Sequence, residues 1–152
     1  PMDAIDKKLL ALLQEDTKKT TKELSLVLNL SVTAVYERIK KLERENVIRK
    51  YVALLDRNKI DKAFVVFCHV KLIQHTKDVI HTFENEVVRL NEVSECFHVS
   101  GDYDYILKVN VKDMDAYREF MVTKLTGLQH IGSTHSSFMI GEVKNSTAFV
   151  LI

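Results

Sequence analysis

The stretch Thr20–Tyr51, TTKELSLVLNLSVTAVYERIKKLERENVIRKY, constrains this chain most tightly. It reads as helix, tight turn, second helix and a short strand. Thr20 can cap the first of these helices, with Glu23 three residues on to reach back to the Thr20 N–H, a capping box. Leu24, Val27 and Leu28 then supply an apolar edge at helical spacing. Asn29-Leu30-Ser31 is the turn, with Ser31 as N-cap of the next helix and Leu30 placed to staple onto Val35. Val35, Ile39 and Leu42 form a narrow buried stripe. At 100° per residue Thr33, Tyr36, Glu37, Lys40 and Arg44 fall on the other side, with Lys41 beside them. One face holds the helix in a core while the other offers hydroxyl, phenol and cationic groups, the division a helix-turn-helix needs to meet duplex DNA.

An earlier helix is expected from Asp3, its cap, to about Asp16, with Ile5, Leu9, Leu12 and Leu13 facing the core. Three helices with facing stripes make the smallest core that can brace a recognition helix. Asn46 lies where a left-handed C-terminal cap is expected, and Asn29 plays the same part in the turn, so both are predicted to have positive φ. Residues 47–56 (VIRKYVALLD) read as a wing or connecting strand. The polar run 56–62 (DRNKIDK) is the best place for a boundary. Charge supports the division: residues 1–60 carry 13 Lys/Arg against 9 Asp/Glu, while the remainder carries 9 against 12. A basic front and an acidic back fit a nucleic-acid-binding head on a body that binds something else.

From Ala63 the periodicity changes to that of a strand. In AFVVFCHVKLI, Phe64, Val66, Cys68, Val70 and Leu72 face one way and Ala63, Val65, Phe67 and His69 the other. Both faces are largely apolar, so helices are expected on one and a partner subunit on the other. Residues 76–90 read as a helix facing inward with Val79, Ile80, Phe83, Val87 and Leu90. Strands follow at 93–100 and 104–111, joined by the turn GDYD. A helix over 113–125, capped by Asp113, turns Met114, Tyr117, Phe120, Met121 and Leu125 inward. A fourth strand is expected over 131–140 and a fifth over 147–152. The order strand-helix-strand-strand-helix-strand is the split βαβ, or ferredoxin-like, pattern. The fold class is therefore α+β: an N-terminal winged helix-turn-helix over 1–50, a connecting strand and linker over 51–62, and a ferredoxin-like domain over 63–152.

Several chemistries find no support. No run approaches the roughly 20 apolar residues that span a bilayer, and none reads as an export signal, so a cytoplasmic location is expected. Cys68 and Cys96 are too far apart for a C-x-x-C pattern and read as reduced thiols in apolar surroundings. The six histidines show no metal-ligand spacing, and Asp102 with Asp104 is too small a set for a calcium cage. No nucleophile setting or glycine phosphate loop appears. Neither an enzyme, a cofactor nor a bound metal is expected.

A trihelical head carrying LSVTAVYERIKKLERENVIRKY, followed by a body containing SGDYDYILKV, resembles the Lrp/AsnC (leucine-responsive, or feast/famine) regulators over essentially the whole chain. Similar proteins usually carry Gly where this chain has Asn29 and Asn46, and often Pro in place of Val32. Neither departure threatens the fold. The resemblance implies a transcription regulator that dimerises through its sheets, often builds octamers, and binds an amino acid in its C-terminal domain.

On the head, Lys40, Lys41, Arg44 and, on the wing, Arg49 and Lys50 are candidates for phosphate contacts. Ser31, Thr33 and Tyr36 lie near the helix start, where base edges are reached. Glu37 on this side leaves the operator sequence unreadable. Arg38, at the border of the stripe, either reaches phosphate, as the similar proteins suggest, or pairs with a local carboxylate. On the body, Gly101-Asp102-Tyr103-Asp104 is the candidate effector site. Gly101 lets the backbone come close, Asp102 or Asp104 can take an ammonium, and Thr134 and Ser136 can supply hydroxyls. Without the resemblance, the same run reads simply as a hairpin turn. The expected function is a sequence-specific regulator whose oligomeric state and DNA binding respond to a small amino-acid effector. The alternatives are an architectural DNA-binding protein indifferent to metabolites, and a ligand-binding module whose helical head docks protein.

Overall fold

The computed structural model describes residues 1–151 and divides into two compact units. The first comprises Pro1–Leu54 and the chain from Val143 onward; the second is Leu55–Glu142.

In the first unit, α1 (Ala4–Glu15), α2 (Thr21–Leu28) and α3 (Val32–Arg44) surround buried Leu9, Leu10, Leu24, Val35 and Leu42. Each helix starts on the residue its sequence offers. Asp3 accepts the Asp6 N–H in a reciprocal capping box, Thr20 accepts the Glu23 N–H at 3.1 Å, and Ser31 accepts the Ala34 N–H at 3.0 Å. Glu23 takes the Thr20 hydroxyl, at 3.3 Å, so only half of the expected box forms there. Leu30 and Ile39 pack into the same cluster as Val35. Asn29 and Asn46 adopt φ of 55° and 59°, as expected of residues ending these helices. Two apolar assignments shift: Leu10 is buried, and Val27 is 62% exposed because an eight-residue helix with one partner face buries little more than Leu24.

Two expected strands are absent among the described residues. Residues 49–56 form no helix or strand, so there is no wing, and Tyr51, Val52, Leu54 and Leu55 are exposed. The segment expected as a fifth strand also forms no ladder, and its last residue lies outside the described ones. Instead the Gln14 side chain satisfies the Phe149 backbone in both directions, donating to its carbonyl at 3.0 Å and accepting its N–H at 2.6 Å. Leu151 packs on the helical cluster. The tail thus belongs with the head and not with the sheet.

The second unit is an antiparallel sheet in the order β2-β3-β1-β4, formed by β1 (Phe64–Leu72), β2 (Val93–His98), β3 (Tyr105–Val111) and β4 (Ile131–Phe138). Helices α4 (Lys77–Val87) and α5 (Met114–Phe120) cover one face, and α5 continues through a π-helical turn to Leu125. Thr76 and Asp113 cap the two helices. Val66, Cys68, Val70 and Leu72 of β1 join Tyr105, Leu107, Val109 and Val111 of β3 beneath Phe83, Tyr117 and Phe120. Both thiols are free, Cys68 within this core. Met114, expected inside, is 41% exposed at the first turn of α5. The opposite sheet face carries Val65, buried at 3% exposure, half-buried Phe67, His69 and Ile106, and Phe97 at 54% exposure.

Candidate nucleic-acid interface and effector loop

On α3, Thr33, Tyr36, Lys40, Lys41 and Arg44 are all exposed, while Val35 and Leu42 behind them are fully buried. Lys40 stands 5.4 Å from the Tyr36 ring centroid and 3.3 Å from Glu43. Glu43 in turn accepts the Tyr51 hydroxyl at 2.9 Å. The Tyr51 bond, then Lys40, hold the Glu43 carboxyl below its usual range, and partial burial plus the same bond push Tyr51 up to about 12. Lys41, Arg44, Arg49 and Lys50 are exposed, leaving four cations turned to water on or just beyond this helix. Ser31 spends its oxygen as a cap acceptor, but its hydroxyl hydrogen remains available.

Arg38 takes up the carboxylate pairing that was one of its two expected roles, through Nη1 alone. Its guanidinium donates to Asp3 at 2.9 and 2.8 Å and to Asp6 at 2.9 Å. Asp6 is only 5% exposed, so Arg38 balances a buried carboxylate and ties α3 to the start of α1. The bond to Arg38 also holds Asp3 below the ordinary carboxylate range and raises Arg38 itself. Asp6 escaped the sequence reading because the pairing joins residues 32 positions apart.

Of the six residues proposed around the effector, four lie in the loop between β2 and β3 and two, Thr134 and Ser136, on β4. Gly101 has φ +112°, a conformation only glycine adopts freely, although an added Cβ meets nothing within 4 Å. Asp104 is committed to structure. Its N–H donates to Val70 O at 2.9 Å, and its carboxylate accepts the Leu72 N–H at 2.8 Å and contacts the His75 ring at 3.0 Å. Burial opposes ionisation, yet the Leu72 N–H and His75 together hold the carboxyl below its usual range. Asp102 is exposed. Tyr103 lies against His69 and His135, with ring centroids 5.6 and 6.1 Å away.

Thr134 and Ser136 pair with Val70 and Cys68, which places them on the helix-covered face. Ser136 is bonded to the Tyr117 hydroxyl at 2.5 Å. Burial raises both the Cys68 thiol and the Tyr117 phenol. Strand alternation sends Ser136 to the side opposite the Tyr103, His69 and His135 rings. His69 and His135, which the sequence did not bring together, meet through strand pairing.

Comparison with known proteins accords with both halves. Residues 2–43 match the AsnC-type helix-turn-helix domain and residues 65–149 the Lrp/AsnC ligand binding domain. The leucine-responsive regulatory proteins of Klebsiella pneumoniae and Escherichia coli K12 are each 38% identical over 150 residues, covering 99% of this chain and 92% of theirs. A transcriptional regulator from Neisseria meningitidis, solved as a complex with L-methionine, superposes with a TM-score of 0.93 at 32% identity, covering 98% of this chain and 96% of its own. An AsnC family regulator from Agrobacterium tumefaciens gives 0.93 at 34%, covering 97% and 96%. Matched in both domains and along almost its whole length, this chain belongs to the Lrp/AsnC family of transcriptional regulators.

Proposed function

We propose that the chain is a sequence-specific regulator that binds double-stranded DNA through α3 and changes its assembly and DNA affinity on binding a small amino acid. The observation that carries this reading is the division of α3, buried at Val35 and Leu42 and exposed at Thr33, Tyr36, Lys41 and Arg44. Cations on that face neutralise phosphates, while the hydroxyl and phenol near the helix start reach base edges. Dimerisation through the open sheet face sets two such helices on successive major-groove turns, roughly 34–36 Å apart. The dimers assemble further, to octamers as this fold family's resemblance implied.

The effector is an amino acid at the Gly101–Asp104 loop, with Asp102 taking its ammonium. Supporting this are the family's ligand-binding domain over residues 65–149 and the L-methionine held by the Neisseria relative. An effector that binds one assembly better than another shifts the population of DNA-competent particles. The protein is a regulator and not an enzyme, and it works in the cytoplasm; none of its described helices is long and apolar enough to cross a membrane.

The test is thermal unfolding against the twenty amino acids, with light scattering on each sample. A ligand at 100 times its Kd stabilises by about 2.7 kcal/mol. At least one amino acid raising the melting temperature and changing particle mass is the expected result. A flat panel would favour an architectural role, and no DNA binding at low salt would overturn the regulator itself.

A further inference from the structure

The geometry points to a transition-metal site on the open face of the sheet, in which His69 and His135 jointly ligate one divalent cation of the zinc, nickel or copper class. The two residues are direct partners across the β1–β4 ladder, so their side chains leave the sheet on the same side. Their ring centroids are 5.8 Å apart. Metal–imidazole bonds of about 2.0–2.1 Å put each ring centroid roughly 3.2 Å from the ion. Two rings sharing a tetrahedral ion then stand about 5.2 Å apart, and rings on opposite sides of an ion about 6.4 Å. The observed spacing falls between these limits.

The tautomer is also arranged for ligation. His69 Nδ1 lies 3.3 Å from the His135 carbonyl, which can only accept, so the ring donates from Nδ1 and carries its lone pair on Nε2. An imidazole anchored through one nitrogen to a carbonyl, with the other free, is the usual arrangement of a metal-ligating histidine. The Tyr103 ring lies beside both histidines and shields one flank from water. Lys71, next along this face of β1, is exposed on a flexible stem and close enough to Asp104 to lower that carboxyl. Among the described residues no set of three or more His, Cys, Asp or Glu gathers around an ion. The pair therefore supplies two ligands, and water or the same pair from a second copy supplies the rest. Imidazole donors select zinc, copper and nickel over magnesium or calcium.

The test is calorimetric titration of the untagged full chain with zinc and nickel chloride in a non-coordinating buffer, repeated on His69→Gln, His135→Gln and the control His81→Gln. Copper EPR follows on the same proteins. Saturable binding at one ion per chain, or one per two chains, is expected for the wild type and His81→Gln. Either ligand variant should bind roughly tenfold or more weakly, with an unchanged melting temperature in metal-free buffer. The copper spectrum should show two nitrogen couplings at one ion per chain, or four at one ion per two chains, and half that number in each ligand variant. Binding that survives both ligand substitutions, or no saturable binding in the wild type, would overturn the site. Should either variant unfold, the wild-type nitrogen count decides alone.

Discussion

At the scale of single residues, two charged groups act as braces within the fold. Arg38 sits on the DNA-side border of α3, yet three short bonds commit it to Asp3 and Asp6. Arg38→Ala leaves Asp6, 5% exposed, without its partner. A loss of about 1–3 kcal/mol in urea unfolding is expected, and Asp6→Asn in the same background should recover part of it. Asp104 is the second brace. Its carboxyl is held low, so its contribution is complete above the unfolded-chain value of about 3.9 and drains away as pH falls below it. Asp104→Ala should cost about 1–3 kcal/mol at pH 7 by stranding the Leu72 N–H. The difference between variant and wild type should narrow in unfolding curves taken below pH 4. A carboxylate partner was one of the two roles the sequence offered Arg38, but neither its identity nor the role of Asp104 was legible, because both partnerships join positions some thirty residues apart. The run GDYD alone cannot say which of its two aspartates folds inward.

Among elements, the helices were legible and the outer strands were not. Asp3, Thr20, Ser31 and Asp113 all cap as their sequence positions suggest, because a cap bond is local and needs no knowledge of the fold. Ser31→Ala should therefore cost about 1 kcal/mol, measured by urea unfolding, and Ser31→Gly a few tenths. The left-handed Asn29 and Asn46 are equally local. Residues 147–151 and 51–55 have strand-like composition, but a strand exists only where another strand offers a ladder. The Gln14 side chain takes the Phe149 backbone instead. Likewise, alternation in β4 was visible, but which set faced the helices depended on register, and that decided the fate of Ser136 and brought His135 opposite His69.

For the whole molecule, the sequence already carried the architecture, because a basic trihelical head and an apolar-faced βαββαβ body each leave a periodic signature. The apolar second face of β1 already led us to expect a partner subunit there, and on that face Phe97 is 54% exposed and Phe67 and Ile106 are half-buried. Phe97→Lys is expected to shift the particle to smaller mass in light scattering while leaving the helical core, and so the far-ultraviolet dichroism, intact. DNA affinity should fall with it, since a lone head engages only one half-site. The account stands most directly on the salt dependence of duplex binding, by fluorescence anisotropy, for the wild type and for the Lys41→Ala/Arg44→Ala pair. Log K is expected to fall linearly with log salt, and the double variant should bind more weakly with a slope smaller by about 2, near 1 per lost phosphate contact. An unchanged slope in a folded double variant, or a wild type that ignores duplex at low salt, would contradict the placing of α3 on DNA.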